Sequence, residues 1–161
     1  MTTRNLDALF HPNTIALVGA SNAPGSVGQV LARNLLESGF SGPVLPVSRS
    51  ASAIRSAIAY RNVADLPLTP DLAVIATPAP SVPEVVADLA RRGCRAAIVI
   101  SAGVDAELRQ AMLDAAKPSL MRILGPNCLG FISPKLGINA SFAHLFPAPG
   151  GLALVSQSSA R

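Results

Sequence analysis

The sequence predicts an α/β fold: a Rossmann-like, open, mainly parallel sheet with helices on both faces. Three observations lead there. The apolar runs Ile15–Val18, Leu72–Ala76 and Ala96–Ile100 contain no polar residue, the pattern of strands buried on both faces. Amphipathic segments at helical spacing alternate with these runs, as in βαβ units. The first run passes at Gly19 through a polar, glycine-bearing loop into a helical pattern at Ser26, the usual strand–loop–helix opening of a nucleotide-binding sheet. At 161 residues, half of them hydrophobic and 14% charged, the chain suits one densely packed domain rather than a disordered segment.

Taken in order, Leu6–Phe10 reads as one helical turn before Pro12. After the first strand and its loop, Val27, Val30, Leu31, Leu35 and Leu36 recur at helical spacing, and Gly39 stops the helix. Residues 42–47 form a second strand whose prolines suit a sheet edge, completing a right-handed βαβ unit. Ser52–Tyr60 reads as a weak helical segment, and 62–67 as a connection. The strand Leu72–Ala76 runs into Thr77, Pro78, Ala79 and Pro80, an extended, rigid turn with few N–H donors. Ser81 with Glu84 three positions on matches a capping box for a helix buried through Val82, Val85, Val86 and Leu89. Ala96–Ile100 ends in the small-residue turn Ser101, Ala102, Gly103. A helix over 105–117, stopped by Pro118, leads to a strand at 122–124 and the tight loop 125–130 around Asn127. The sequence predicts irregular chain over 131–139 and a last strand over 151–155.

The glycine loop carries the chemistry. Gly19 turns the chain off the strand, Gly25 admits a ligand close to the backbone, and Gly28 lets the helix pack on the strand. Free N–H groups and the positive dipole end of that helix favour a phosphate. The spacing differs from the dinucleotide fingerprint, because five residues separate Gly19 and Gly25, and a bare turn would use the same residues. After the second strand, where a NAD site places an acid on the ribose, the chain has Ser48-Arg49-Ser50. A guanidinium there suits a phosphorylated ribose, which leaves NADP or coenzyme A.

Other classes find little support. The net charge is +4, but the 13 basic residues are spread along the chain, and one Tyr with no Trp gives no stacking platform for nucleic acid. No apolar run approaches a membrane span and Met1–Phe10 is no secretory leader, so a cytoplasmic location is expected. Cys94 and Cys128 lack metal-ligand spacing and read as buried, reduced thiols. No nucleophile–base pair or metal cluster is suggested, so no catalytic or metal-binding residue is assigned.

The spaced motifs, in order, resemble one family. They are Leu-Phe-x-Pro-x-x-Ile-Ala-x-Val-Gly-Ala-Ser, Pro-Gly-Ser-Val-Gly, Val-Ala-Asp-Leu-Pro, Pro-Asp-Leu-Ala-Val-Ile-Ala-Thr-Pro-Ala, Val-Ile-Ser-Ala-Gly, Gly-Pro-Asn-Cys-Leu-Gly and Leu-Val-Ser-Gln-Ser. They run from about Leu9 to Ser158, and the family is the CoA-binding N-terminal domain of NDP-forming acyl-CoA synthetases, relatives of the succinyl-CoA synthetase alpha subunit.

The resemblance implies a site. Ser21, Pro24, Gly25, Ser26, Val27 and Gly28, after Gly19, match the loop that holds the CoA phosphates. Arg49 stands where the family often has lysine, near the phosphorylated adenosine, although Ser48 replaces the frequent Asn-Pro before it. Thr77, Pro78, Ala79 and Pro80 match the turn lining the pantetheine arm. Ser101, Ala102 and Gly103 match the turn facing the thiol end, with Asn127 beside it and Cys128 packed beneath. The family's ligase chemistry passes through an acyl phosphate and a phosphohistidine on a following domain, with ATP, ADP and Mg handled by an ATP-grasp domain. His11 and His144 lie in neither context. The resemblance therefore implies a CoA-binding domain over 1–155. Residues 156–161 would begin a second, succinyl-CoA ligase-like domain, with Ser159 in place of the family's glycine. The expected partners are CoA and those domains; no nucleic acid or membrane is expected, and a homo-oligomer is left open. Such a piece binds and does not catalyse alone. The same domain also occurs as a regulatory part of synthetase-like protein lysine acetyltransferases, and an NADP-binding oxidoreductase is the more distant alternative.

Overall fold

The computed structural model describes residues 3–156. Its centre is a five-stranded, wholly parallel sheet. In chain order its parts are α1 (Leu6–Phe10), β1 (Ile15–Val18), α2 (Val27–Glu37), β2 (Val44–Val47), a small hairpin of β3 (Ala53–Ile54) and β4 (Ala57–Ile58), β5 (Leu72–Ile75), α3 (Val82–Arg91), β6 (Ala96–Val99), α4 (Ala106–Ala116), β7 (Arg122–Leu124) and a second hairpin of β8 (Gly130–Ser133) and β9 (Ile138–Ser141). The strand order β2-β1-β5-β6-β7 reverses direction between β1 and β5, the topological switch point where open α/β sheets bind ligands.

The register explains the composition. β1 lies between β2 and β5, with Leu17 opposite both Pro46 and Val74. β1, β5 and β6 are buried along their whole length, so an apolar residue is needed at every position. Ala16, Val18, Ala73 and Ile75 face α3 and α4, while Ile15, Leu17, Leu72 and Val74 face α1, α2 and the second hairpin. Helices thus cover both faces. β2 is an edge strand, which tolerates Pro46. On α2, Leu31 and Leu35 enter the core, but Val27 is 45% exposed and faces away from it.

Four elements differ from the sequence expectation. Ser52–Tyr60 is not helical: β3 and β4 pair antiparallel, Arg55 takes φ 54° at the turn, and Tyr60 bridges Val47 in parallel. The four-residue spacing of Ile54 and Ile58 imitates a helix, yet Ile54 is buried and Ile58 is exposed. Residues 131–139 belong to the β8–β9 hairpin, turned at Gly137 (φ 65°), with Ile138 and Ala140 in the core. Residues 151–155 form no strand; Leu152, Leu154 and Val155 are more than nine-tenths exposed and find no neighbouring strand among the described residues. Ser81 makes no capping box: it sits in a right-handed helical conformation, and its hydroxyl donates to the Pro78 carbonyl at 2.8 Å. The turn before α3 is accordingly extended at Pro78 but tightens into a 3-10 turn over Ala79–Ser81. The expected boundary at 155–156 falls at the end of the described chain, and Ser159 lies outside the described residues.

The edge of the sheet opposite the ligand side is tied by charge. Asp71, just before β5, accepts from Arg95 Nη2 at 2.8 Å and from the Asn13 N–H at 2.9 Å. Arg95 also reaches Asp7 at 2.9 Å, so one carboxylate ties together the starts of β1, β5 and β6. Partial burial alone would raise the acid's pKa, but the hydrogen bonds from Arg95 and Asn13 and the guanidinium charge outweigh it, leaving Asp71 below its ordinary 3.8. A depressed acid stabilises the fold above its unfolded pKa and loses that contribution as pH falls through the folded value. Asp71→Asn is expected to melt about 2–4 °C lower at pH 7, equivalent to about 1 kcal/mol after discounting for the solvent-exposed arginine. The gap should close below pH 3.8. A gap that stays constant from pH 7 to pH 3 would remove this role.

Candidate functional site

The loop between β1 and α2 is built around two close backbone contacts. Gly19 (φ 95°) turns the chain, and the N–H groups of Gly19 and Ala20 both donate to the Val47 carbonyl, at 3.1 and 3.0 Å. A Cβ on Gly28 would lie 2.1 Å from the Gly19 carbonyl oxygen, so α2 starts directly against the end of β1. Ser26 caps α2, its hydroxyl accepting the Gln29 N–H at 3.2 Å, and Gln29 Oε1 accepts the Gly25 N–H at 2.9 Å. Among the described residues, the N–H groups of Ser21, Asn22, Val27 and Gly28 find no acceptor. Donors grouped at a helix start, with the dipole behind them, form a ready seat for a phosphate. Pro24, Gly25 and Val27 stand exposed around that seat. Gly25 (φ 76°) has no atom within 4 Å of where its Cβ would be, so open space faces the loop.

Asn22 holds the loop in place and escaped the sequence reading. Its amide donates to the Ala53 carbonyl at 2.9 Å, and its oxygen accepts the Arg55 N–H at 3.3 Å. The β3–β4 hairpin, read as helix from the sequence, is therefore the outer support of the phosphate loop. Only the recognition that 53–58 turns back on itself could have shown this.

A cavity of about 330 Å³ opens beside the loop at the switch point, within the range of small-molecule sites. Gly19, Arg49, Thr77 and Pro78 line it, joined by Ser48 and Arg61. Thr77 Oγ1 is buried there without a hydrogen-bond partner among the described residues, an open valence that a ligand can fill.

The remaining expected positions continue along the same edge of the sheet rather than into the cavity. The Ser101 hydroxyl donates to the Thr77 carbonyl at 2.6 Å, and the Ser101 carbonyl accepts the Asn127 N–H at 3.1 Å. Three turns, after β5, β6 and β7, are thus linked in one row. A Cβ on Gly103 would lie 3.9 Å from that of Ala79, so the 77–80 and 101–103 turns stand side by side. Pro80, Ala102 and Gly103 are exposed on this row. Ser101 is buried, its hydroxyl spent on the protein, so it shapes the row more than it offers a contact. Asn127 (φ 57°) is exposed, and its side-chain amide bonds no described residue.

Both cysteines are free. Burial pushes the Cys94 thiol up to about 12. The Cys128 thiol lies 3.4 Å from the Val99 carbonyl and its pKa is likewise raised by burial. Neither is a thiolate nucleophile at neutral pH. Among the described residues no group of three or more His, Cys, Asp or Glu side chains could hold a metal, and no helix is long and apolar enough to cross a membrane.

Comparison with known proteins places this fold in a family. A CoA-binding domain family model covers residues 13–134. The alpha subunit of ADP-forming acetate–CoA ligase I from Pyrococcus furiosus is 36% identical over 97% of this chain and 36% of its own length. ADP-forming acetate–CoA ligase from Methanocaldococcus jannaschii is 35% identical over 96% of this chain and 22% of its own. The solved dinucleotide-forming acetyl-coenzyme A synthetase 1 of Ca. Korarchaeum cryptofilum, in complex with phosphate and ADP, superposes with a TM-score of 0.80 at 37% identity, covering 85% of this chain and 30% of that one. The chain thus spans about a third or less of these relatives. It belongs to the CoA-binding domain family, in its α/β Rossmann-like form, and its relatives are ADP-forming CoA ligases.

Proposed function

We propose that this chain binds coenzyme A on behalf of an NDP-forming acyl-CoA synthetase, presenting the thiol to an acyl phosphate held by other parts of the assembly. One observation carries the reading. Arg49 after β2, the phosphate seat after β1 and the row of three turns after β5, β6 and β7 follow the strand order along one edge of the sheet. CoA has the same linear order: phosphorylated adenosine, pyrophosphate, pantetheine arm, thiol. On this reading the Ser21–Gly28 loop takes the pyrophosphate, Arg49 the adenosine end, Thr77–Pro80 the arm, and the Ser101–Gly103 turn with Asn127 the thiol. The chain binds and orients; acid activation, phosphohistidine chemistry and ATP, ADP and Mg belong to a succinyl-CoA ligase-like domain and an ATP-grasp domain. The proposed domain is 1–155.

Calorimetric titration of the chain with CoA and NADP in parallel tests this. CoA should bind with a dissociation constant of about tens of micromolar or tighter, equivalent to about −6 kcal/mol, and NADP should not. Binding of NADP in its place would overturn the reading.

A further inference from the structure

Arg61 belongs to none of the motifs that point to CoA, yet the fold brings it to the cavity. Residues 59–61 run alongside the edge strand β2. Val47 bridges Tyr60 in parallel, the Tyr60 N–H donates to the Pro46 carbonyl at 2.9 Å, and the Ser48 N–H donates to the Tyr60 carbonyl at 2.8 Å. This short extension of the sheet sets Arg61 next to the residues that follow β2. Its Nη1 donates to the Arg49 carbonyl at 3.3 Å, and both arginines line the 330 Å³ cavity.

Two guanidinium groups on one small cavity repel each other unless an anion sits between them. Among the described residues neither has a carboxylate partner: the ion pairs are Arg55–Glu37, Arg91–Asp88, Arg95–Asp7 and Arg95–Asp71. Asp88, the acid lining this cavity, is the partner of Arg91. The cavity therefore presents two uncompensated cations with the polar side chains of Ser48, Ser50 and Asn62 around them. A pyrophosphate bridge carries one charge per phosphorus, whereas a phosphate monoester carries close to two at neutral pH and offers three acceptor oxygens. The monoester is the better match to a pair of forked donors.

We propose that Arg61 and Arg49 together form a two-guanidinium seat for the 3′-phosphate monoester on the ligand's ribose, making Arg61 a specificity-determining residue. This rests on the CoA reading above, in which it selects CoA over dephospho-CoA.

The test is calorimetric titration of the parent chain, Arg61→Ala, Arg61→Lys and Arg49→Ala with CoA, dephospho-CoA, adenosine 3′,5′-bisphosphate and AMP. Arg61→Ala should weaken CoA and the bisphosphate about 10-fold or more, the loss of one charge-assisted contact, and change dephospho-CoA and AMP less than about twofold. Arg61→Lys, which keeps the charge but not the fork, should recover part of the loss. Equal losses for the ligands with and without the 3′-phosphate in each pair would overturn the seat. The bisphosphate and AMP arms separate this inference from the CoA reading. A parent chain that ignores CoA but prefers the bisphosphate, with the preference lost in Arg61→Ala, sustains the seat and sinks the CoA reading. A parent chain that binds CoA and dephospho-CoA equally keeps the CoA reading and sinks the seat. Silence toward all four ligands overturns both.

Discussion

Gly28→Val is expected to abolish measurable CoA binding and to lower the melting temperature by about 6–12 °C. The reason is geometric. Even the first added carbon would lie 2.1 Å from the Gly19 carbonyl oxygen and 3.2 Å from the Ser21 nitrogen, both backbone atoms that no side-chain rotation can move. The start of α2 must lift away from the end of β1, an overpacking cost of about 3 kcal/mol, which converts to that shift for a domain of this size. The same movement draws the N–H groups of Val27 and Gly28 out of line with the seat. Losing two hydrogen bonds to a charged group costs more than about 100-fold in affinity. Gly25→Ala is the comparison. Its Cβ meets nothing within 4 Å, but φ is 76°, so the substitution strains the backbone by about 1–2 kcal/mol without displacing the helix. A Gly28→Val chain that still binds CoA as tightly as the parent would show that the ligand does not use this loop.

The contrast between these two glycines shows what the sequence could reveal. Both stand in one loop and read alike, as room for a ligand and room for a helix. Gly28 is buried against backbone, whereas Gly25 faces open space, a distinction that depends on where α2 starts rather than on spacing. β1, β5 and β6 were legible because burial on both faces leaves each an unbroken apolar run. The hairpins were not. β3 and β4 are two residues each, too short for a period to register, and β8 and β9 flank Pro134–Gly137, which read as loop. Arg61 was hidden for the same reason, because it reaches the cavity only once Tyr60 pairs with β2. Ser81 failed as a cap because the two prolines before it already start a 3-10 turn. The terminal run 151–155 is apolar enough for a strand, but a strand also needs a partner, and it has none among the described residues.

The least legible feature predicts the second large effect. Asn34, on the buried side of α2, donates to the carbonyls of Ser141 at 2.8 Å and Ala143 at 3.0 Å. Its partners lie 107 and 109 residues away, so no local pattern marks it as more than a polar residue on an apolar face. Ser141 also donates to Asn139 at 2.7 Å and accepts the Ala143 N–H at 3.2 Å, so a small polar network joins the helix to the second hairpin. Asn34→Ala leaves two carbonyls short of a donor in a buried contact, an expected cost of about 2–3 kcal/mol or about 5–10 °C. Asn34→Asp keeps the shape but sets a carboxylate against those two carbonyls, so it should melt lower still. The Asn34 contact sits at the far half of α2 from the phosphate seat. CoA affinity measured well below the transition should therefore change less than about twofold in Asn34→Ala, because a local loss of packing at one end of a helix leaves the first-turn donors at the other end in place. Gly28→Val and Asn34→Ala, two substitutions on one helix, thus separate binding from stability. An Asn34→Ala chain that melts within about 1 °C of the parent would show that the network contributes nothing net. One that melts as expected but loses CoA would show that the hairpin positions the loop through the length of α2.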